Sequence, residues 1–212
     1  MKITKYVHSC LLVEMPEPVN RTVLFDPGSM SVDAIDEAKL QYLDDIIITH
    51  DHQDHFDMGL VKSLVEKFPD VHITATEPAV EMLANEGIAA SNSETGGIVF
   101  FDAPHEDVAP MFPSTEQIGV HYLDKLTHPG DSHSFTESKA ILALPMTAPW
   151  GSTVEAVNLA IRLKPRYVLP IHDWHWREEA RQQMYGGIEQ LFASHNITFM
   201  KLETGEPVVL EV

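Results

Sequence analysis

The chain has 212 residues, 44% of them hydrophobic, which suits one compact domain spanning 1–212 with a sizeable core. Its 32 acidic residues against 14 basic ones give a formal net charge of −18, which repels polyanions and argues against nucleic acid as a substrate. One cysteine, Cys10, excludes an intrachain disulfide, and no run approaches the ~20 apolar residues of a membrane span.

The first elements read as strands near 2–8, 10–15 and 22–26, with Cys10 a small buried hydrophobe in the first pair. That opening is a strand pair rather than a charged segment followed by a secretory apolar core, so a cytoplasmic protein is expected. Ile46-Ile47-Ile48 marks a short buried strand near 45–49, and a helix near 57–68 follows from the spacing of Leu60, Val61, Leu64, Val65 and Phe68. A strand near 71–75, a helix near 77–86 and a strand near 97–102 come next, then a loop-prone region from Ala109 to Glu116. Strands near 118–123, 126–130 and 139–144 lead to a helix near 152–163, where Ser152 and Glu155 have the spacing of a capping box. The chain closes with strands near 167–171, 197–201 and 207–211 around a helix near 175–194. This is a mixed α/β pattern of two β-rich halves, each followed by helices.

The chemistry concentrates in Thr49-His50-Asp51-His52-Gln53-Asp54-His55. It puts three imidazoles and a carboxylate at the spacing H-x-H-x-D-H. Such donors suit a borderline-soft divalent cation. Residues two apart diverge on a helix, whereas residues three or four apart share a face, so these four converge only from a loop between a strand end and a helix. Strand ends of this kind are where α/β proteins build sites.

This motif resembles the signature of the metallo-β-lactamase superfamily. Val23-Leu24-Phe25-Asp26-Pro27-Gly28 is similar to the strand ending in Asp-Pro that precedes the metal loop there. Further matches fall at His105 in Asp102-Ala103-Pro104-His105, Asp131 in Pro129-Gly130-Asp131-Ser132, and His172 in Val168-Leu169-Pro170-Ile171-His172. The resemblance implies a four-layer αββα sandwich and a dinuclear centre. His50, His52 and His105 would bind one metal, Asp54, His55 and His172 a second, and Asp131 would bridge them. Two such cations lower the pKa of a shared water, and the bridging hydroxide would be the nucleophile. The metals would be two zinc ions, with manganese or iron also admitted by an N/O ligand set. Val7-His8-Ser9, His55-Phe56-Asp57 and Gly130-Asp131-Ser132-His133 look like the cytoplasmic branch that holds ascorbate-6-phosphate lactonase. That branch implies a small ester-like substrate (a lactone, thioester or phosphodiester), no membrane, and a homo-oligomer. The alternatives are a phosphodiesterase acting on nucleotides or lipids, and a non-catalytic metal-binding protein of the same fold.

Further candidates carry less of the pattern. His133 is placed to contact substrate or protonate a leaving group, making it catalytic alongside Asp54. Asp26 is positioned to accept the free ring N–H of a ligand His, and His8 to support the ligands in the same way. Trp174 and Trp176 are candidates to wall an apolar pocket, and the irregular segment Pro145 to Gly151 is a candidate loop over the site.

Overall fold

The computed structural model describes residues 1–108 and 115–212. Most of the loop expected from Ala109 to Glu116, residues 109–114, lies outside the described residues. Contacts divide the chain into two units, Met1–Glu94 with Leu202–Val212, and Thr95–Lys201.

The first unit is a six-stranded sheet built from β1 (Lys2–Lys5), β2 (Leu11–Met15), β3 (Arg21–Phe25), β4 (Asp45–Ile48), β5 (His72–Ala75) and a strand from the far end of the chain, Pro207–Val209. That last strand pairs with β1, and β1, β2 and β3 are antiparallel to one another. From β3 through β4 to β5 the pairing is parallel. Ile46 and Ile48 on one face of β4 join Leu24 and Ile73 in the core. Against them pack Leu60, Val61 and Leu64 of α1 (Met58–Lys67), with Ala79 and Leu83 of α2 (Glu77–Asn85). The Asp57 carboxylate caps α1 by accepting from the Leu60 N–H at 2.8 Å.

The second unit has its own six-stranded sheet: β6 (Ile98–Phe101), β7 (Gly119–Tyr122), β8 (Leu126–His128), β9 (Ile141–Pro145), β10 (Tyr167–Ile171) and β11 (Thr198–Phe199) lie side by side in that order. Here β6, β7 and β8 are antiparallel, and β8 through β11 parallel. Helices α3 (Thr153–Leu163) and α4 (Glu178–Ser194) bury Ala156, Leu159 and Ala160, and Tyr185, Ile188 and Phe192, against Leu142, Leu144 and Val168. The capping box is present. The Ser152 hydroxyl accepts from the Glu155 N–H at 3.3 Å, and the Glu155 carboxylate from the Ser152 N–H at 2.8 Å. With Pro207–Val209 as β12, the chain holds the α/β composition expected from sequence. No helix among the described residues is long and apolar enough to cross a membrane.

Three local features depart from the expected elements. β1 stops at Lys5, because the Tyr6 N–H bonds the Cys10 carbonyl at 2.9 Å and closes a tight turn over residues 6–10. α4 starts at Glu178 rather than near 175, leaving Trp174, His175 and Trp176 in the turn before it. Two 3-10 turns, Ser29–Ser31 and Glu37–Lys39, are too short to give a periodic signal.

Backbone hydrogen bonds tie the turn after β3 to the motif loop. The Ser29 N–H donates to the Gln53 carbonyl at 2.8 Å and the Asp57 N–H to the Pro27 carbonyl at 2.9 Å. Between these bonds lies Gly28, where an added Cβ would sit 1.8 Å from the Asp54 carbonyl oxygen and 2.7 Å from the His55 nitrogen. Both are main-chain atoms held in place, so Gly28→Ala is expected to destabilise the metal-free protein by about 1–3 kcal/mol, read as a lowered urea midpoint. An unchanged midpoint would mean that the two loops part easily.

Candidate metal centre

In the first unit the site is built where β3 and β4 end side by side. Asp26 takes a left-handed φ of 45° directly after β3, and its N–H bonds the Ile47 carbonyl at 2.8 Å. Its fully buried carboxylate therefore faces the first residues after β4. It accepts from the Thr49 N–H at 2.8 Å, the Thr49 hydroxyl at 2.9 Å and His55 Nδ1 at 2.7 Å. A carboxylate only accepts, so Nδ1 of His55 carries the proton and Nε2 offers a lone pair. The same logic passes through Thr49. Its hydroxyl proton is directed at Asp26, so its oxygen accepts from His50 Nδ1 at 3.1 Å, and Nε2 of His50 also becomes the ligand atom.

The His55 and Phe56 N–H groups both bond the His52 carbonyl, at 2.9 and 2.8 Å, and curl the loop. The rings of His50 and His55 lie 4.0 Å apart, and those of His50 and His52 4.8 Å. Asp54 and His55 each bring a donor atom within 4.8 Å of the other, as do His50 and His52, and His50 and His55. His8 joins this group, its Nε2 3.1 Å from Asp54 Oδ2.

In the second unit, three residues follow strand ends in the same manner. His105 lies beyond β6 and its Nδ1 donates to the Glu106 carbonyl at 2.7 Å. His172 follows β10 directly with a left-handed φ of 57°, and its Nδ1 donates to the Thr147 carbonyl at 3.0 Å. Asp131 lies beyond β8, where its N–H donates to the Gln117 side-chain oxygen at 2.7 Å. The Gln117 amide in turn donates to the Ala103 and Pro129 carbonyls at 2.6 and 3.1 Å. Asp131 Oδ2 stands 3.2 Å from His172 Nε2 and 3.8 Å from His105 Nε2, and accepts from Trp150 Nε1 at 3.1 Å.

The donor chemistry fits a divalent cation. Two ligand atoms at about 2.0–2.2 Å from one ion are at most about 4.4 Å apart, so small side-chain rotations complete these contacts. Nε2 of His172 and Oδ2 of Asp131 both present lone pairs to each other, which is the relation of two ligands on one cation. The buried Cys10 thiol takes no part: burial pushes its pKa far up, which keeps it protonated.

His50, His52, Asp54 and His55 are thus gathered in the first unit, and His105, Asp131 and His172 in the second. Asp26 holds a ring N–H as its place in the sequence suggests. His133 differs from the expected proton donor. Its Nε2 donates to the Pro145 carbonyl at 2.8 Å, which leaves Nδ1 as the acceptor of the singly protonated ring, and burial lowers its pKa. The Trp174/Trp176 wall is corrected as well. Trp174 is 51% exposed, and Trp176 stacks edge-on to Tyr185 beside the core of the second unit. Trp150 is the tryptophan that lies beside the donors of the second unit. It touches Asp131, and its ring lies 5.4 Å from His172 and 5.1 Å from His133. Thr49, Gln117 and Trp150 carry no motif of their own. Only the irregular Pro145–Gly151 segment pointed toward the last of them.

Comparison with known proteins agrees with this geometry. A protein of Mycobacterium tuberculosis, Rv0786c, is 30% identical over 211 residues, 90% of this chain and 92% of that protein. Igni18, described as a novel metallo hydrolase from the archaeon Ignicoccus hospitalis, shares the fold at TM-score 0.74 and 19% identity, with 100% of this chain and 98% of that one covered. The metallo-β-lactamase fold protein YhfI of Bacillus subtilis does so at TM-score 0.67 and 18% identity, with 98% of each chain covered. Residues 2–172 match the model of a beta-lactamase superfamily domain. Strand-end histidines and carboxylates on two β-rich units, together with a match over most of the chain, place this protein in the metallo-β-lactamase superfamily.

Proposed function

We propose that the chain is a metal-dependent hydrolase whose seven donors, His50, His52, Asp54, His55, His105, Asp131 and His172, hold two divalent cations. Zinc is the first choice, and manganese and iron suit the same donors. One observation carries the reading. His50, His55, His105 and His172 each have Nδ1 anchored to an oxygen, so all four are set in the tautomer that turns Nε2 outward as a ligand. Ordinary core histidines have no reason to share one tautomer. When bound, such cations activate water and polarise an acyl or phosphoryl oxygen.

The residues around the donors orient them. Asp26 and Thr49 align two imidazoles, Gln117 holds the Asp131 backbone N–H, and Trp150 bonds the Asp131 carboxylate. A cleft of about 310 Å³ beside Trp150, lined also by His133, Asn158, Leu159 and Arg162, has room for a small molecule. We take the substrate to be a small ester-like compound, such as a lactone, thioester or phosphodiester, and the net charge of −18 to oppose long nucleic acids. A self-associating, cytoplasmic enzyme in which both units work as one catalytic domain completes the proposal.

Protein purified without chelator is expected to carry about two metals per chain and to hydrolyse chromogenic lactone, thioester or phosphodiester probes. Chelation should stop turnover and added zinc restore it. Less than one ion per chain from metal-replete medium would overturn the reading.

A further inference from the structure

We propose that His8 is a positioning residue for Asp54. Its Nε2–H holds Oδ2 of the carboxylate and leaves Oδ1 to the cation. The inference rests on the metal reading above and adds a residue from the β1–β2 turn.

The first observation is conformational. His8 has φ 64°, a left-handed backbone that turns normally assign to glycine or asparagine, because a Cβ crowds the neighbouring carbonyl. Such residues persist where the surroundings over-determine them, and they cluster at functional sites. Here the surroundings are explicit. The buried Ser31 hydroxyl donates to the Val7 carbonyl at 2.8 Å and accepts from the Val7 N–H at 3.2 Å, and the Tyr6–Cys10 bond closes the turn from the other side.

The second observation is where the side chain goes. A residue at a hairpin turn ordinarily faces water, yet His8 is 1% exposed. Its Nε2 is 3.1 Å from Asp54 Oδ2 and its ring stands edge-on to His55 at 5.0 Å. The two atoms are in contact but not aligned as a hydrogen bond; since an ionised carboxylate only accepts, a small turn of the ring makes the contact a donation from the imidazole. Holding the outer oxygen removes a rotation that Asp54 would otherwise lose on binding metal.

The test uses Zn²⁺ titrated into the metal-free full-length protein against a chromophoric chelator, with the melting temperature of the metal-free form read alongside. His8→Gly relieves the left-handed strain and deletes the donor, whereas His8→Gln keeps an N–H of similar reach. Wild type should take two ions. His8→Gly should bind one of them about 10–100-fold more weakly, and His8→Gln should recover most of that loss. His8→Gly with wild-type affinity would overturn the proposal. So would loss in both variants at an unchanged melting temperature, which would make His8 a direct ligand. If His8→Gly does not fold, His8→Gln decides alone: affinity near wild type supports the role, and a tenfold loss or more refutes it. Wild type taking up no zinc would overturn the metal reading and this assignment together, whereas wild-type loading with unaffected variants would overturn this assignment alone.

Discussion

Asp131→Asn is expected to leave the purified protein with less than one divalent ion per chain, against about two in the wild type, and to slow turnover by at least about 100-fold. The proposed bridging role requires one carboxylate to share its charge between two cations. An amide has no charge to share, and one of its two terminal atoms is an NH₂ group that cannot ligate. The fold should survive. The Asp131 N–H bond to Gln117 belongs to the backbone, and Trp150 Nε1 still finds the amide oxygen. Elemental analysis paired with a melt of the metal-free variant separates loss of metal from loss of structure. Two ions retained at full activity would remove Asp131 from the shared position.

Asp26 is expected to give the largest effect on stability. Asp26→Ala strands three buried donors at once, the Thr49 N–H, the Thr49 hydroxyl and the His55 ring N–H. Each unsatisfied group costs about 1–3 kcal/mol, and the total approaches the whole stability of an ordinary domain, about 5–15 kcal/mol. The variant should fail to fold at room temperature, seen as collapsed amide dispersion in an NMR spectrum. Asp26→Asn asks a finer question. Turning its NH₂ toward His55 Nδ1 would flip that imidazole, placing the proton on Nε2 where the cation must bind. This variant should fold yet lose metal, and nitrogen shifts of the ring would report the tautomer. A folded, fully loaded Asp26→Asn would show that Asp26 does not dictate the tautomer.

What was legible in the sequence was whatever local pattern encodes. Ile46-Ile47-Ile48 announced a buried strand, the Leu60/Val61/Leu64 spacing a helix, and Ser152 with Glu155 a cap that is present atom for atom. The four donors of the H-x-H-x-D-H loop were legible for the same reason, since they lie within six residues. What escaped was set by partners far along the chain. Gln117 matters through the Ala103 and Pro129 carbonyls, and Trp150 through a carboxylate nineteen residues before it. No spacing rule reports such contacts. At His133 a local pattern missed a distant partner. Its place in Gly-Asp-Ser-His suggested a proton donor, but the Pro145 carbonyl, twelve residues on, decides where its proton sits. The extent of β1 failed for a backbone reason, because no local signal reveals that an imidazole rather than a glycine will occupy a left-handed turn.

The return of β12 to the edge of β1 has a consequence for how the chain comes off the ribosome. Lys2, Ile3 and Thr4 pair with Val209, Val208 and Pro207, so β1 waits for residues made after the whole of Thr95–Lys201. Throughout synthesis of Thr95–Lys201, the nascent first sheet shows an unpaired edge, the kind of surface that recruits other strands. The donor loop follows β4, three strands away from that edge. Capture of metal and closure of the sheet are therefore separable in time, and an ion bound early would hold the interior of the first unit together while its rim is still open.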